Sequence, residues 1–365
     1  MKFECTVENL VEAASIAARF VQRGGTMPTL NSIYLETNGD SVVLRATNLE
    51  YGVEVVVPTR VLSSGATAIS SATLIGFLSN SHGHSIECTV DGGVMKLKTE
   101  RTSATIKTIP HDDFPILPRI PAEHSFVVKA QDLAKGIRSV LNCASVSNVK
   151  PELQSVLVYG DVGKLYFVAT DSFRLAEKQA ALKSPGSVPN LLMPARNVGE
   201  LVRILEGVKG DVEVYYNDNQ FSIQLEGVYY TSRLLDGTYP NYTQIVPKTF
   251  NTEVVLLRED LSQALKGLSV FNDKFLQVVF VVQPKEKTVH LSSRNADVGE
   301  EECVLKAAVS GEQITMTFNS KYLADGLTPL AGESVRIRLN GAGRPALIQD
   351  VADDSFFYLA MPMNR

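Results

Sequence analysis

The sequence predicts an α+β fold made of three similar domains, each with two copies of a strand–helix–hairpin unit. The clearest copy is Phe126–Leu141, where a short apolar run precedes a helix with apolar residues at i, i+4 and i+7. The first helical leucines, Leu10, Leu133 and Leu261, are 123 and 128 residues apart. A spacing kept this closely indicates a threefold internal repeat.

A second helix is predicted in each third of the chain, because Leu74, Leu201 and Leu323 follow those leucines by 64, 68 and 62 residues. Hairpins follow these helices, and the strongest turn signal is Asn-Gly at residues 38–39. Prolines mark the two joins between repeats, since proline favours extended linkers. The predicted domains are therefore residues 1–120, 121–248 and 249–365.

Composition places the chain among ordinary globular proteins. Of its 365 residues 44% are apolar and 21% are charged, which allows sizeable cores. The four cysteines are far apart and are predicted to be reduced, buried thiols of a cytoplasmic protein. The first residues contain no long apolar run, so we expect neither a signal peptide nor a membrane span. The net charge of −5 disfavours a uniformly basic nucleic-acid binder but allows one basic face.

Patterns for catalysis, a cofactor or a metal are weak throughout the sequence. The turn Gly341–Arg344 lacks the Lys-Ser/Thr ending of a phosphate loop. His82, His84 and Cys88 have no fourth zinc ligand at a suitable spacing, and Asp112-Asp113 is typical of a solvated turn. We therefore expect a binding or scaffold protein without a cofactor or metal. An enzyme that uses the His82/His84 loop is the remaining alternative.

The predicted architecture leaves sheet edges open at the two ends of the repeat. Open edges recruit partners, so the first domain of one chain is expected to pair with the last domain of another. Such pairing produces either a closed ring or an open filament. The six predicted helices carry nine basic and eight acidic residues. This small excess favours an anionic ligand, although placement of charges along helix dipoles explains it equally well.

Three stretches carry a resemblance to a known family. They are Ala169–Ala176 (ATDSFRLA), Leu234–Tyr242 (LLDGTYPNY) and Met361–Arg365 (MPMNR), supported by Phe318–Tyr322. Together with the three-domain length they resemble the DNA clamp family, in particular the beta subunits of bacterial DNA polymerase III, the sliding clamps. The resemblance implies the DNA-clamp fold, a head-to-tail homodimer with helices inside a ring and antiparallel sheets outside it.

The resemblance also implies a non-catalytic processivity factor of the replicative DNA polymerase. Such a ring encircles double-stranded DNA and slides without sequence readout, since phosphate contacts carry no base information. The implied partners are DNA polymerase III subunits, the clamp loader, repair polymerases and other proteins with a clamp-binding motif, in the cytoplasm and without a membrane. The implied DNA-facing residues are Arg23, Arg196, Arg203 and Lys209. The alternative is a repeat scaffold that binds proteins only, without DNA.

One peptide-binding pocket per chain is implied between the second and third domains, for short extended motifs with Leu and Phe anchors. An apolar groove with few polar groups suits such peptides, and Arg174 could hold a peptide carbonyl or carboxylate. The matching positions are Leu153, Thr170, Ser172, Phe173, Arg174, Leu175, Pro240, Gln244, Ile245, Phe275, Asn319, Tyr322, Gly343, Pro345, Leu359, Met361, Pro362 and Met363. Departures from the family pattern at Ser172-Phe173 and Asn364-Arg365 leave the peptide preference open.

The implied dimer interface joins Ser103–Thr108 of one chain to Ser269–Phe271 of the next. Apolar contacts and charge pairs are both expected there, and exposed pairs help to set the register more than the affinity. The implied contact residues are Ile106, Val270 and Phe271 for apolar contact, and Arg101, Lys107 and Glu300-Glu301-Glu302 for charge pairs. A solvated charge run is the alternative interpretation of the glutamates.

Overall fold

The computed structural model describes residues 1–22, 24, 27–121, 123–184 and 186–363. Within these residues the chain forms six α-helices, two in each predicted repeat. Their bounds are α1 Val7–Ala17, α2 Ser71–Leu78, α3 Ala130–Leu141, α4 Ala195–Leu205, α5 Arg258–Leu268 and α6 Ser320–Leu327. Short 3-10 helices also occur, at Pro28–Asn31, Pro151–Gln154, Tyr242–Gln244 and Ser269–Phe271.

The same residues form 26 strands, and a strand directly precedes each α-helix, as the repeat predicts. The strands are β1 Lys2–Thr6, β2 Ser32–Asn38, β3 Ser41–Thr47, β4 Tyr51–Pro58, β5 Arg60–Ser63, β6 Ala66–Ser70, β7 Ser85–Asp91, β8 Val94–Lys98, β9 Ser103–Ile109, β10 Ser125–Lys129, β11 Ser155–Asp161, β12 Lys164–Thr170, β13 Arg174–Ala181, β14 Val188–Pro194, β15 Asp211–Tyr216, β16 Gln220–Leu225, β17 Val228–Arg233, β18 Thr252–Leu257, β19 Gln277–Gln283, β20 Thr288–Asn295, β21 Gly299–Lys306, β22 Ala308–Gly311, β23 Ile314–Asn319, β24 Ser334–Leu339, β25 Ala346–Asp350 and β26 Phe356–Ala360.

Helix ends follow local hydrogen bonding. The side chains of Thr6, Ser70 and Asn319 each accept a hydrogen bond from a backbone N–H in the first turn of the helix that follows. Val208 and Leu330 continue the apolar spacing of Leu201 and Leu323 but lie beyond the ends of α4 and α6. Each instead donates its N–H to a carbonyl three residues earlier, so the chain has already left the α-helical pattern.

Contacts divide the chain into two compact units. Unit 1 comprises Met1–Ala130 with Arg203–Leu234, and unit 2 comprises Gln131–Val202 with the chain from Leu235 on. In the described part of unit 1, one antiparallel sheet runs in the order β10-β15-β16-β17-β4-β3-β2-β6-β9-β8-β7-β1-β5. The pairing of β17 with β4 joins strands of the first two predicted domains within this sheet.

In its described part, unit 2 has two antiparallel sheets. One runs in the order β14-β11-β12-β13-β26-β25-β24-β18-β22, and the other in the order β21-β20-β19-β23. The pairing of β13 with β26 joins the second predicted domain to the third. The predicted boundaries at residues 120 and 248 thus follow the sequence repeat. Strand pairing instead separates the strands of the middle repeat, since β10 and β15–β17 join the unit 1 sheet and β11–β14 join a unit 2 sheet.

Two strands escaped the sequence interpretation because charged residues interrupt their apolar pattern. The sequence predicts no strand that starts in ATDSFRLA, but β13 begins within it, at Arg174, and contains the buried Glu177 and Lys178. The glutamates at 300–302 suggested a charge run, yet they lie on β21. In β13 the buried charges have partners from distant segments, Tyr242 and Asp353, so the strand tolerates them.

The cysteines are free thiols, and Cys5, Cys88 and Cys143 are buried, whereas Cys303 is only partly buried. Burial, with a smaller effect of neighbouring Glu4, raises the pKa of the Cys5 thiol to about 12. Burial also raises the pKa of Cys143, so both thiols stay protonated at neutral pH. Separately, among the described residues no helix is both long and apolar enough to cross a membrane.

Candidate functional site

A cleft of about 450 Å³ opens on unit 2 where β13 begins and β26 ends. We call it the unit 2 cleft. Its lining comprises Thr170, Ser172, Arg174, Leu175, Gln244, Ile245, Val246, Pro247, Asn340, Gly343, Arg344, Pro345, Leu359 and Met361. Aliphatic side chains and prolines make up half of this lining, and the polar groups between them can bind peptide backbone. Such a composition suits an extended apolar peptide.

The loop that precedes β13 is held by its own side chains. Thr170 Oγ1 donates to the Arg174 carbonyl at 2.6 Å and accepts from the Ser172 N–H at 3.2 Å. Asp171 Oδ1 accepts from the N–H groups of Phe173 and Arg174 at 2.9 and 3.0 Å. Ser172 has a φ of 79°, a left-handed conformation that most residues other than glycine avoid. These bonds preorganise one wall of the cleft.

Arg174 lies in this wall but is already paired. Its Nε donates to Asp171 Oδ2 at 2.9 Å, and its guanidinium also donates to Asp325 of α6. The guanidinium carbon lies 4.6 Å from the centre of the Tyr322 ring. Arg174 therefore anchors the loop to α6. Contact between Arg174 and a peptide carbonyl stays a prediction.

A buried cluster supports the floor of the cleft, and it includes Leu175 and Leu359. Tyr242 of the same cluster donates to Glu177 Oε2 at 2.6 Å and forms a 2.7 Å hydrogen bond with the Tyr159 hydroxyl. Burial, followed by the hydrogen bond to Glu177, raises the pKa of Tyr242. Its hydroxyl therefore remains protonated at neutral pH, and the floor is fixed by packing and hydrogen bonding together.

The chain after β26 forms another side of the cleft. Met361 donates its N–H to the Phe173 carbonyl at 2.8 Å, and Met363 donates its N–H to the Thr317 carbonyl at 2.8 Å. Only Met361 of these two methionines lines the cleft. The predicted departures at Asn364 and Arg365 lie outside the described residues.

Ten of the 18 residues implied by the family resemblance line the unit 2 cleft. They are Thr170, Ser172, Arg174, Leu175, Gln244, Ile245, Gly343, Pro345, Leu359 and Met361. The others are Leu153, Phe173, Pro240, Phe275, Asn319, Tyr322, Pro362 and Met363. Leu153 is buried in the cluster under the floor, and Tyr322 contacts Arg174. Those two support the cleft indirectly, and peptide contact by any of the 18 stays a prediction.

Four residues of the lining were missed by sequence reasoning: Val246, Pro247, Asn340 and Arg344. The first two continue the predicted Gln244-Ile245, so an apolar run was the available signal. Asn340 precedes the turn Gly341–Arg344 and Arg344 ends it, and this turn was compared only with a phosphate loop, which it does not match. The available signal there was that the turn contains Gly343, which was predicted to belong to the pocket.

The residues implied to face DNA lie on the surface where the structure describes them. Arg196 and Arg203 lie on α4, Lys209 follows it, and all three are exposed. Arg23 lies outside the described residues. Within the bounds of the six helices, seven basic residues balance seven acidic ones. The predicted positive excess on the helices therefore comes from residues beyond their ends.

The implied dimer segments include two open strand edges. In unit 1, β9 pairs with β8 along Ser103–Lys107 and with β6 only at Thr108 and Ile109. In unit 2, β21 is a terminal strand of its sheet and carries Glu300, Glu301 and Glu302. The turn with Val270 and Phe271 packs beside β21. Ile106 is partly buried on β9, whereas Arg101 and Lys107 are exposed.

The histidine loop does not assemble a metal site with its nearby cysteine. His82 and His84 are exposed, whereas Cys88 is fully buried. In the part of the chain that the structure describes, no group of three or more His, Cys, Asp or Glu residues is placed to hold a metal ion. Asp112 and Asp113 lie exposed in a turn.

Three sequence families match the chain along its length. The N-terminal domain of the DNA polymerase III beta subunit matches residues 1–118, the central domain residues 127–241 and the C-terminal domain residues 243–364. Among curated relatives, the beta sliding clamp of Synechocystis sp. is 28% identical over 392 residues, covering 100% of this chain and 99% of the relative.

Solved structures show the same fold. The DNA polymerase sliding clamp from Bacillus subtilis superposes with a TM-score of 0.94 at 24% identity, covering 100% of this chain and 99% of the other. The sliding clamp (DNA polymerase III subunit beta) from Bartonella birtlesii, bound to griselimycin, has a TM-score of 0.94 at 26% identity and 100% coverage of both chains. The predicted three-domain clamp fold is confirmed by these matches.

Proposed function

Because the chain belongs to the family of DNA polymerase III beta subunits, the sliding clamps, we propose that two copies close into a ring around double-stranded DNA and tether client proteins through the unit 2 cleft. The family consists of non-catalytic processivity factors, so the protein acts by enclosure and binding. Its clients are the polymerase subunits, the clamp loader and other proteins with short apolar motifs, in the cytoplasm.

The observation that carries the tethering role is the preorganised unit 2 cleft. Its floor offers Leu175 and Leu359, and Met361 adds an adaptable apolar wall. Gln244 and Arg344 line it as well and supply polar groups for the backbone of an extended peptide. Since the loop before β13 already satisfies its own hydrogen bonds, little ordering is required when a peptide binds.

Enclosure explains how a protein of net charge −5 can remain on DNA. Binding by charge weakens steeply with salt, whereas a closed ring leaves only at a DNA end. After loading by a clamp loader, the protein should remain on a circular plasmid through gel filtration in high salt. Cutting the plasmid once should release it. Release from the intact circle, or retention on the linear product, would favour a scaffold that binds proteins only.

The exposed bases on and after α4 should guide the duplex without holding it tightly. Replacing Arg196, Arg203 and Lys209 together by Ala should shorten the DNA synthesised per binding event. It should also reduce the slope of log affinity against log salt for duplex DNA by up to about 3, since each lost phosphate contact removes roughly one unit. Light scattering should show an unchanged dimer.

A triple variant with the same loss of charge provides the control. Lys96, Lys98 and Lys285 are exposed and were not implied to face DNA, so their replacement by Ala should leave synthesis length and salt slope near wild type. Equal effects of the two triple variants would mean that net charge matters and position does not. The DNA-facing assignment would then be wrong.

On β9, strand alternation identifies the backbone groups available to a partner chain. Thr108 donates its N–H to the Gly93 carbonyl on the β8 side at 3.0 Å. Because successive residues alternate, the N–H of Ile106 also points toward β8, whereas those of Thr105 and Lys107 point away from it. The outer edge of β9 therefore presents unpaired donors.

The edge of β21 has the complementary arrangement. Ala307 donates its N–H to the Lys287 carbonyl on the β20 side at 3.0 Å. By the same alternation, Glu302 and Val304 point their N–H groups away from β20. We propose that β9 of one chain pairs with β21 of the next. Two such pairings, related by symmetry, would close the dimer.

A further inference from the structure

Unit 1 contains a second loop with the hydrogen-bond pattern of the loop before β13. Thr47 Oγ1 donates to the Tyr51 carbonyl at 2.9 Å and accepts from the Leu49 N–H at 3.0 Å. Asn48 Oδ1 accepts from the N–H groups of Glu50 and Tyr51, each at 3.0 Å. Leu49 has a φ of 75°, close to the 79° of its counterpart in unit 2. The loop before β4 therefore has the same conformation as the loop before β13.

The match extends to the strand beside each loop. Arg233 at the end of β17 donates its N–H to the Glu50 carbonyl at 2.8 Å. The equivalent bond in unit 2, from the Met361 N–H to the Phe173 carbonyl, is also 2.8 Å long. Likewise β17 is antiparallel to β4 as β26 is antiparallel to β13. The loop and its neighbouring strand therefore form the same hydrogen-bonded framework in both units.

This second framework borders a cleft of about 220 Å³, which we call the unit 1 cleft. Its lining comprises Thr47, Leu49, Glu50, Tyr51, Gly52, Pro115, Ile116, Leu117, Pro118, Gln220, Thr231, Ser232 and Arg233. Two aliphatic side chains of this lining are open to solvent, Leu49 at 51% and Ile116 at 92% exposure. The lining holds one acid and one base, Glu50 and Arg233, so charge selects neither an anion nor a cation.

The unit 1 cleft is smaller because the chain fills part of the equivalent space. Gly52 stands in β4 where β13 has Leu175. A Cβ atom at Gly52 would lie 2.5 Å from Cδ2 of Leu117. Leu117 is buried, so the segment after β9 supplies the apolar floor that Leu175 supplies in unit 2. The remaining space, about half that of the unit 2 cleft, opens toward Leu49 and Ile116.

We propose that the unit 1 cleft is a second peptide site, which takes one aliphatic side chain of an extended client segment. A peptide is the occupant because the loop and its neighbouring strand reproduce the framework of the unit 2 cleft, and because the exposed side chains at the mouth are aliphatic. This inference rests on the proposed binding of client peptides. Since less apolar area can be buried, binding at this site is weaker than at the unit 2 cleft, by about 10- to 100-fold.

The experiment uses the full-length protein and a fluorescein-labelled octapeptide ending in Leu-Phe, followed by fluorescence anisotropy. Ile245→Glu with Met361→Glu closes the unit 2 cleft and should leave a weak residual affinity. Adding Leu49→Gly and Ile116→Asp should reduce that residual affinity at least tenfold. Glycine adopts the positive φ of Leu49 without strain, and Ile116 is exposed, so both changes should preserve the fold.

Val162→Gly is the matched control in the same background. Val162 is also an aliphatic residue with positive φ, 43°, and it is 88% exposed in a hairpin turn that lines neither cleft. Its replacement should leave the residual affinity unchanged. A peptide with both anchors changed to Ser should not bind at all.

Each failure has a distinct meaning. If the wild-type protein does not bind the peptide, both the proposed tethering and the second site are wrong. If it binds but the double-glutamate variant retains nothing, or retains binding that Leu49→Gly with Ile116→Asp does not alter, only the second site is wrong. A change in assembly mass on adding Leu49→Gly and Ile116→Asp would assign this face to contacts between copies and would also overturn the proposal.

Discussion

Thr105→Pro should shift the assembly from a dimer toward a monomer of 39.8 kDa. At position 105, proline lacks the backbone N–H that points away from β8 in the wild type. The hydrogen bond from the Ile106 N–H toward β8 is unchanged, so β9 should stay in its sheet. A partner carbonyl left without a donor costs about 1–3 kcal/mol, and the dimer has two such interfaces, so the dissociation constant should rise about 30-fold or more. Light scattering over a dilution series measures the shift.

Thr105→Ala is the control, because it keeps the N–H and should remain dimeric. Val304→Pro should have the same effect as Thr105→Pro, since it removes an outward donor from the opposite edge. If Thr105→Pro is as dimeric as the wild type, β9 does not form the interface.

Ile245→Glu combined with Met361→Glu should abolish binding of a Leu-Phe peptide to the unit 2 cleft. The apolar anchors would then meet two carboxylates in place of an aliphatic wall. Loss of contacts that dominate an interface costs about 2 kcal/mol or more each, so the affinity of the unit 2 cleft should fall about 100-fold or more. The binding that remains should be the weaker binding at the unit 1 cleft. Anisotropy measures the affinity, and light scattering should show an unchanged dimer because neither β9 nor β21 lines the cleft.

Leu257→Glu is the matched control for this variant. Leu257 is 51% exposed, close to the 54% of Ile245, and lies in unit 2 outside the cleft lining. It should bind the peptide as the wild type does. Unchanged affinity in the double-glutamate variant would place the client site elsewhere, and equal losses in both variants would point to a general effect of added charge.

Local patterns in the sequence predicted much of the fold. The hairpin of β2 and β3 lies where the Asn-Gly turn signal at residues 38–39 placed it. All six helices follow a strand, as the repeat required. These features depend on residues within a few positions of one another, so the sequence specifies them directly.

Strands with buried charged residues could not be predicted, because the partners of those charges are distant in the sequence. Glu177 and Lys178 interrupt the apolar pattern expected of a buried strand. Only the structure shows that they pair with Tyr242 and Asp353, from distant parts of the chain. The lining of the unit 2 cleft shows the same limit. Family resemblance supplied ten of its residues. No single motif shows, however, that Arg174 is anchored to Asp325 and Tyr322.

The sequence by itself determined a threefold repeat, six strand–helix units and membership of a clamp family. Only the tertiary structure decided which strand edges remain open, how Arg174 is held, and that the loop before β4 copies the loop before β13. Those two loops share only their Ala-Thr-Asx beginnings, and the residues that follow differ. The likeness lies in backbone angles and hydrogen bonds, which different side chains can satisfy once the neighbouring strands are in place.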